Sequence, residues 1–346
     1  MDITKQDLLK YGLYQPTISN NETQLESKDC QDILLALLNH LPSDETVNIF
    51  IPEENHLADG IFDDRLYKVL SSKNVKLNFV FGGFTKYKLT EKYDFPEHNL
   101  FLHLWPTAGI FDSFNSIIKI YPPSKLKFQE VNDFEYLFIS LSNKAKTHRC
   151  YLLDSLIRDD LLQHGVYTWS NTYANNDYVW RFTDPIKLKN KLNDRFIPTF
   201  STNYEIMPDE YFKAFIHLVS EGMSDGDFIT EKTTIPLVHK KPFIVQTTKG
   251  FHKILSKKLK FELYDEIFDY EFDQVDDWCK RTDLIIKNLK RLKKENLKNL
   301  YQKLLPKLEY NQNRIFEIIN KNILVPQIVL DSKTMLDRYP YLTTEI

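Results

Sequence analysis

The densest chemistry in the chain lies in Asp227-Phe228-Ile229-Thr230-Glu231-Lys232, followed about one helix-length later by Pro242-Phe243-Ile244-Val245. A Thr-Glu-Lys triplet set between small and acidic residues, Met223 to Asp227, and an apolar run has the pattern of a helix's first turn entered from a loop. In such a turn the leading backbone amides, the Thr230 hydroxyl and the Lys232 ammonium can converge on an anion, while Glu231 accepts from ribose or sugar hydroxyls. That combination suits a nucleotide-sugar. A capped surface helix with solvated Glu231 and Lys232 is the other reading of the same residues.

Such a turn needs strands and helices to hold it. Val47 to Ile51, Val75 to Phe81, Leu100 to Trp105 and Ser116 to Tyr121 read as strands, with helical segments at Ile33 to Leu38 and Arg65 to Ser71. Strands alternating with helices predict an α/β domain with a mainly parallel sheet. A second unit starts near Pro122-Pro123, opening on the strand Glu135 to Leu141, a polar loop Ser142 to His148, and an amphipathic helix Cys150 to Leu162. Strand, polar loop and helix in this order is how a doubly wound fold brings a ligand to the carboxyl ends of its strands. Further on, Tyr211 to Val219 reads as a strand, Thr230 to His239 as a helix that Pro236 should kink or shorten, Phe243 to Gln246 as a strand and Phe251 to Leu255 as a helix. Val275 through Asn320 is predicted helical with an interruption at Pro306.

With 346 residues and 42% hydrophobic content the chain can bury two cores, so two domains are expected. A net charge of -3 gives no global pull toward nucleic acid. Cys30, Cys150 and Cys279 lie too far apart to suggest a disulfide framework or a zinc site, and His103, His148, His164, His217, His239 and His252 lack metal-ligand spacing. The start, Met1 to Asp7, lacks a signal-peptide pattern and no apolar run approaches membrane-spanning length, so a soluble, cytoplasmic protein is expected.

Together these segments resemble glycosyltransferase family 10, the α1,3-fucosyltransferases and their soluble bacterial and viral relatives. The family's donor pattern is Phe-Glu-Asn-Ser, a spacer, an aromatic residue, Val/Ile-Thr-Glu-Lys, and a strand with Pro-Ile/Val-Val. Here Val219-Ser220-Glu221 stands for the first element, with Glu221 ten positions before Glu231, and Phe228 to Lys232 and Pro242 to Val245 supply the rest. Upstream, Ser140-Leu141-Ser142-Asn143 followed by His148-Arg149 and a helix resembles the family's Ser-Asn, Arg, helix arrangement. The resemblance implies that Arg149 contacts the donor pyrophosphate; a surface ion pair with Asp154 or Asp159 is its alternative. One position departs from the pattern: Gly222 stands where the family has Asn.

The resemblance implies an α/β fold of GT-B type, two Rossmann-like domains facing across a cleft, with a helical C-terminal tail. Residues 1–130 would form the acceptor-side domain, 131–310 the donor domain, and 311–346 a tail packing back on the first domain. The donor-binding set it implies is Arg149, Ser220, Glu221, Gly222, Phe228, Thr230, Glu231 and Lys232, with Asn143 and His148 in a secondary loop. It further implies inverting transfer from a nucleotide-sugar, GDP-fucose favoured, to a glycan hydroxyl, with Arg149 and Lys232 serving the departing diphosphate in place of a metal. Another nucleotide-sugar, or a noncatalytic α/β protein holding a glycan, are the alternatives. The base should come from the N-terminal half, where Glu53, Glu54, Asp59, Asp63 and Asp112 follow or flank strands. Asp225-Gly226-Asp227 has the letters of a metal motif, but loop acids before a helix more commonly cap it.

Two further features stand apart from that site. Lysines and arginines crowd residues 280–307 around an apolar stripe of Ile285, Leu289, Leu292, Leu300 and Leu304; this suits a solvated helix packed by one face, or peripheral membrane contact. Trp169, Tyr173, Tyr178 and Trp180 form an aromatic cluster suited to core packing or to stacking on a base or sugar.

Overall fold

The computed structural model describes residues 2–4, 46–51, 64–82, 100–111, 134–142, 146–169, 209–222 and 229–343, with a few isolated positions between them. Contacts divide the chain into two compact units, residues 1–111 with 320–346, and residues 112–319. These boundaries do not coincide with 130/131 and 310/311.

In the first unit, β1 (Asp2–Thr4), β2 (Thr46–Ile51), β3 (Lys76–Phe81) and β4 (Leu100–Leu104) form a parallel sheet in that order, with α1 (Asp64–Lys73) between β2 and β3. Val47, Phe50, Leu77 and Val80 are fully buried in it, as the β-branched and aromatic composition of these strands requires. The end of the chain belongs to the same unit. Trp105 packs edge-on against Tyr339 at 5.2 Å, and Thr107 donates to the Ile323 carbonyl at 3.1 Å.

The second unit contains β5 (Tyr136–Ser142), α2 (Thr147–Arg158), β6 (Gly165–Trp169), α3 (Asp209–Lys213), β7 (Ala214–Ser220), α4 (Glu231–Val238), β8 (Phe243–Gln246) and α5 (Phe251–Lys257). Its four strands are parallel, in the order β6-β5-β7-β8. Every residue of β7 is buried, as a central strand covered on both faces must be. The chain goes from β5 to one edge and then returns on the other side, so strand order reverses between β5 and β7. In a doubly wound sheet that reversal opens a crevice at the carboxyl ends of the two strands. Here those ends are Ser142 and Ser220.

α6 (Trp278–Leu292) and α7 (Leu297–Asn320) complete this unit. Asp277 caps α6 by accepting from the Cys279 and Lys280 amides, and the apolar face of α6, Ile285, Ile286, Leu289 and Leu292, is buried. Lys287, Lys290, Arg291, Lys293, Lys294 and Lys298 are exposed. α7 seals the far side: Gln312 donates to the Val238 carbonyl at 2.6 Å, and Asn311 both accepts from the Glu262 amide and donates to its carbonyl. Among the described residues no helix is long and apolar enough to cross a membrane.

The α/β class, the parallel sheets and the helical C-terminal region agree with the sequence reading, while several boundaries move. The helix break falls at residues 293–296, not at Pro306, which lies inside α7. Pro306 and Gln302, whose carbonyl loses its amide partner, are both exposed, so water can satisfy that carbonyl. Residues 209–213 are helical, and β7 starts only at Ala214. α2 begins three residues before the expected Cys150 and stops at Arg158, after which Asp160 takes a left-handed conformation (φ 54°). The strand expected over Ser116 to Tyr121 lies outside the described residues.

Candidate functional site

The carboxyl ends of β5 and β7 bring α2's first turn against the residues that follow β7. Because α2 starts at Thr147, Arg149 lies inside the helix and is only 4% exposed. Its Nη2 donates to the Ser220 carbonyl at 3.3 Å and the Glu221 carbonyl at 3.1 Å. Burial lowers the guanidinium's pKa, and the Glu221 and Glu231 carboxylates oppose that shift. His148 is buried beside it, its Nε2 3.0 Å from the Glu221 carbonyl. A carbonyl can only accept, so Nε2 carries the hydrogen. Burial, then the neighbouring Arg149, push this imidazole's pKa down to about 3, which keeps it neutral.

Glu221 is 1% exposed, and its carboxylate is a clamp. Oε2 accepts from the Thr230 hydroxyl at 2.5 Å and Oε1 from the Thr233 hydroxyl at 2.6 Å. Two charge-assisted hydrogen bonds thereby tie the end of β7 to the first turn of α4. Burial raises the Glu221 pKa, while Lys232 and the two threonine hydroxyls pull it back. The Thr230 hydroxyl, expected to face an anion, serves this clamp and also accepts from the Lys232 amide at 3.2 Å as the α4 cap. Glu221 is thereby bound to residues nine and twelve positions further along the chain.

At the same turn Glu231 and Lys232 form an ion pair, with side chains 29% and 23% exposed. Burial would raise the Glu231 pKa, but the Lys232 ammonium and its own backbone amide outweigh that and hold it low. These are the donor-set side chains from α4 that reach solvent.

Three neighbours complete the site without having been singled out in the sequence. Gln246, at the end of β8, accepts from the Ser220 hydroxyl at 2.7 Å and donates to the His148 carbonyl at 2.9 Å and to Thr282 Oγ1 at 2.8 Å. It fixes β7, α2 and α6 around one buried amide. Thr282, buried in α6, passes the chain on to the Trp278 carbonyl at 2.9 Å. Lys146, the exposed residue capping α2, reaches over to the Gly222 carbonyl at 2.8 Å. No local sequence signal marks a glutamine at a strand end, but a lysine three residues ahead of Arg149 could have been read as part of the same helix entry.

The structure thus gathers His148, Arg149, Ser220, Glu221, Gly222, Thr230, Glu231 and Lys232 at one end of one sheet. Asn143, Phe228, Asp225-Gly226-Asp227, Glu53, Glu54, Asp59, Asp63 and Asp112 lie outside the described residues, as do Tyr173, Tyr178, Trp180 and the side chain of Trp169. Of the two acids named as alternative ion-pair partners of Arg149, Asp159 pairs with Arg158 and Lys290, and Asp154 is buried, as Arg149 is, so a surface pair is not what the structure shows. Among the described residues no group of three or more His, Cys, Asp or Glu side chains is arranged to hold a metal ion.

No protein-family model matches the sequence, and no curated protein matches it. Among solved structures it is similar to one described as the DNA modifying enzyme beta-glucosyltransferase in the presence and absence of its substrate uridine diphosphoglucose. Identity is 8% and the TM-score 0.40, over 86% of this chain and 79% of that one. A likeness this distant assigns neither a family nor an activity.

Proposed function

We propose that this protein is a glycosyltransferase that binds a nucleotide-diphosphate sugar at the carboxyl ends of β5 and β7. One observation carries the reading: residues 71 or more positions apart, Arg149 and the Ser220-Glu221 main chain, meet at the strand-order reversal, where doubly wound folds hold nucleotides. The Glu221 clamp adds that the Thr-Glu-Lys turn is delivered to the same place.

Glu231 and Lys232, the partly exposed pair on α4, are the residues to meet the donor, with Glu231 accepting from sugar or ribose hydroxyls. Arg149 and Lys232 supply positive charge as diphosphate develops on the leaving group. In the transfer the acceptor oxygen forms a bond to the anomeric carbon as the carbon–phosphate oxygen bond breaks. The acceptor proton passes to a base, and the nucleoside diphosphate leaves with the electron pair. Attack opposite the leaving group inverts the anomeric centre. Fucose, as GDP-fucose, is favoured by the Thr-Glu-Lys and upstream Arg motifs, and a glycan hydroxyl is the acceptor.

A panel of GDP- and UDP-sugars tests this by thermal stabilisation and slow donor hydrolysis. A donor at about 100 times its Kd should add roughly 2.7 kcal/mol of stability. GDP-fucose should stabilise most, and Lys232→Ala should abolish the effect. If no nucleotide-sugar stabilises the protein or is hydrolysed, the reading falls; glycan binding without donor binding would leave a noncatalytic glycan-binding protein in its place.

A further inference from the structure

We infer that the basic surface carried by the end of α6 and the start of α7 docks the protein on an anionic lipid membrane. Nothing in this depends on the nucleotide-sugar reading. Residues 280–307 carry ten Lys and Arg against two acids, a net charge of +8. The remaining chain has 35 Lys and Arg against 46 acids and stands at -11, so the total of -3 conceals a separation of charge by sign. An anionic surface would repel most of this protein and attract one part of it.

The fold turns that part outward. Lys287, Lys290, Arg291 and Lys294 follow one another at steps of three and four residues, which sets them along one side of α6 and its last hydrogen-bonded turn, and all four are exposed. Lys293, Lys298 and Lys303 are exposed beside them, with Glu295 as the exposed acid in their midst. Acids from other elements meet only some of the set: Asp159 pairs with Lys290, and Asp269 and Glu271 share a cleft with Lys287 and Arg291. Lys293, Lys294 and Lys303 form no ion pair with a described residue. Helix electrostatics do not account for the whole set. Cations suit the last turn of α6, but Lys298 stands in the first turn of α7, at the helix's positive end, and that turn holds no acid.

The side chains favour lipid over nucleic acid. Lysine predominates, and Nη2 of Arg291, the arginine of the exposed stripe, donates to the Ile267 carbonyl at 2.8 Å and to Asn288 at 3.2 Å, so its fork is already engaged. Tyr301, the aromatic residue of the segment, is buried and cannot stack on bases. Leu297, Leu300 and Leu305 stand half-buried among the lysines, which is the apolar component an interfacial segment presents to the headgroup boundary. About four to eight clustered cations is also the size of patch that holds to an anionic leaflet.

The test is co-sedimentation of the full chain with vesicles of phosphatidylcholine alone and of phosphatidylcholine with phosphatidylserine, at low and moderate salt. Duplex DNA and single-stranded RNA are offered in parallel. Wild type should bind the phosphatidylserine vesicles, release them as salt rises, and leave phosphatidylcholine in solution. Each lysine removed should weaken binding about fivefold, so the double variant Lys287→Gln/Lys294→Gln should lose about 25-fold. Lys249→Gln, which removes an exposed cation paired with Asp276 just ahead of α6, should bind like wild type. No binding to phosphatidylserine vesicles, equal binding to both vesicle types, or an unchanged double variant would each overturn the assignment. Tighter binding to DNA or RNA than to vesicles would overturn it too, with nucleic acid as the partner instead.

Discussion

Thr233→Val isolates the clamp that delivers the Thr-Glu-Lys turn. Valine keeps the shape of threonine and removes the hydroxyl that donates to Glu221 Oε1 at 2.6 Å, at a site with no measurable exposure. A hydrogen bond to a charged group contributes about 1.5–3 kcal/mol, and the added apolar burial returns on the order of 0.8 kcal/mol. The net cost should be about 1–2 kcal/mol, or roughly 2–8 °C in Tm for a unit of this size. The loss should also depend on pH. Burial raises the Glu221 carboxyl above its ordinary value of 4.5, so the folded state keeps a proton that the unfolded chain has released. Ionised Glu221 therefore costs stability as pH rises from about 4.5 through the folded value. Above that window the missing hydroxyl abandons a carboxylate; below it, a neutral acid whose hydrogen bond contributes only about 0.5–1.5 kcal/mol. Urea unfolding of wild type, Thr233→Val, Glu221→Gln and the double variant across about pH 4 to 9 measures both effects. A cost below about 0.5 kcal/mol at every pH in that range, or no coupling between the two positions, would refute the clamp.

Other consequences are as specific. A Cβ on Gly165 would lie 2.2–2.5 Å from the Phe138 ring, its β5 register partner, so Gly165→Ala should cost about 1–3 kcal/mol in thermal unfolding. Asp273 caps α5 through the His252 and Lys253 amides and accepts from His252 Nδ1 at 3.0 Å. Burial opposes its ionisation but the His252 bond outweighs it, so its pKa lies below the ordinary 3.8. Its contribution should be full above that pH and vanish as pH falls through the depressed value, leaving Asp273→Asn less stable at pH 6 but with a shallower acid transition. Pro306→Ala should stabilise the protein by about 1–3 kcal/mol in urea, because α7 continues through this exposed position and proline only removes an amide there. A loss of stability would mean that the ring packs against something essential.

Much of the second unit could be read in the chain itself, because its signals are local. The β7 and β8 strands announce themselves by apolar runs, interrupted in β7 by His217, and the start of α4 by the capping residue Thr230 ahead of a charged first turn. Arg149 and the Thr-Glu-Lys turn could be named as partners only through their order and spacing. What the sequence could not supply is which atoms are spent internally. The Thr230 hydroxyl, both Glu221 oxygens and Arg149 Nη2 are polar groups of the kind that bind ligands, and the fold uses each to satisfy a buried neighbour. Burial and pairing depend on residues 9 to 72 positions away, which no local pattern encodes. The chain by itself determined which charged and hydroxyl residues stand near two strand ends; the tertiary structure decided that Glu231, Lys232 and Lys146 are the ones turned toward solvent, because exposure depends on what the rest of the fold packs against each side chain.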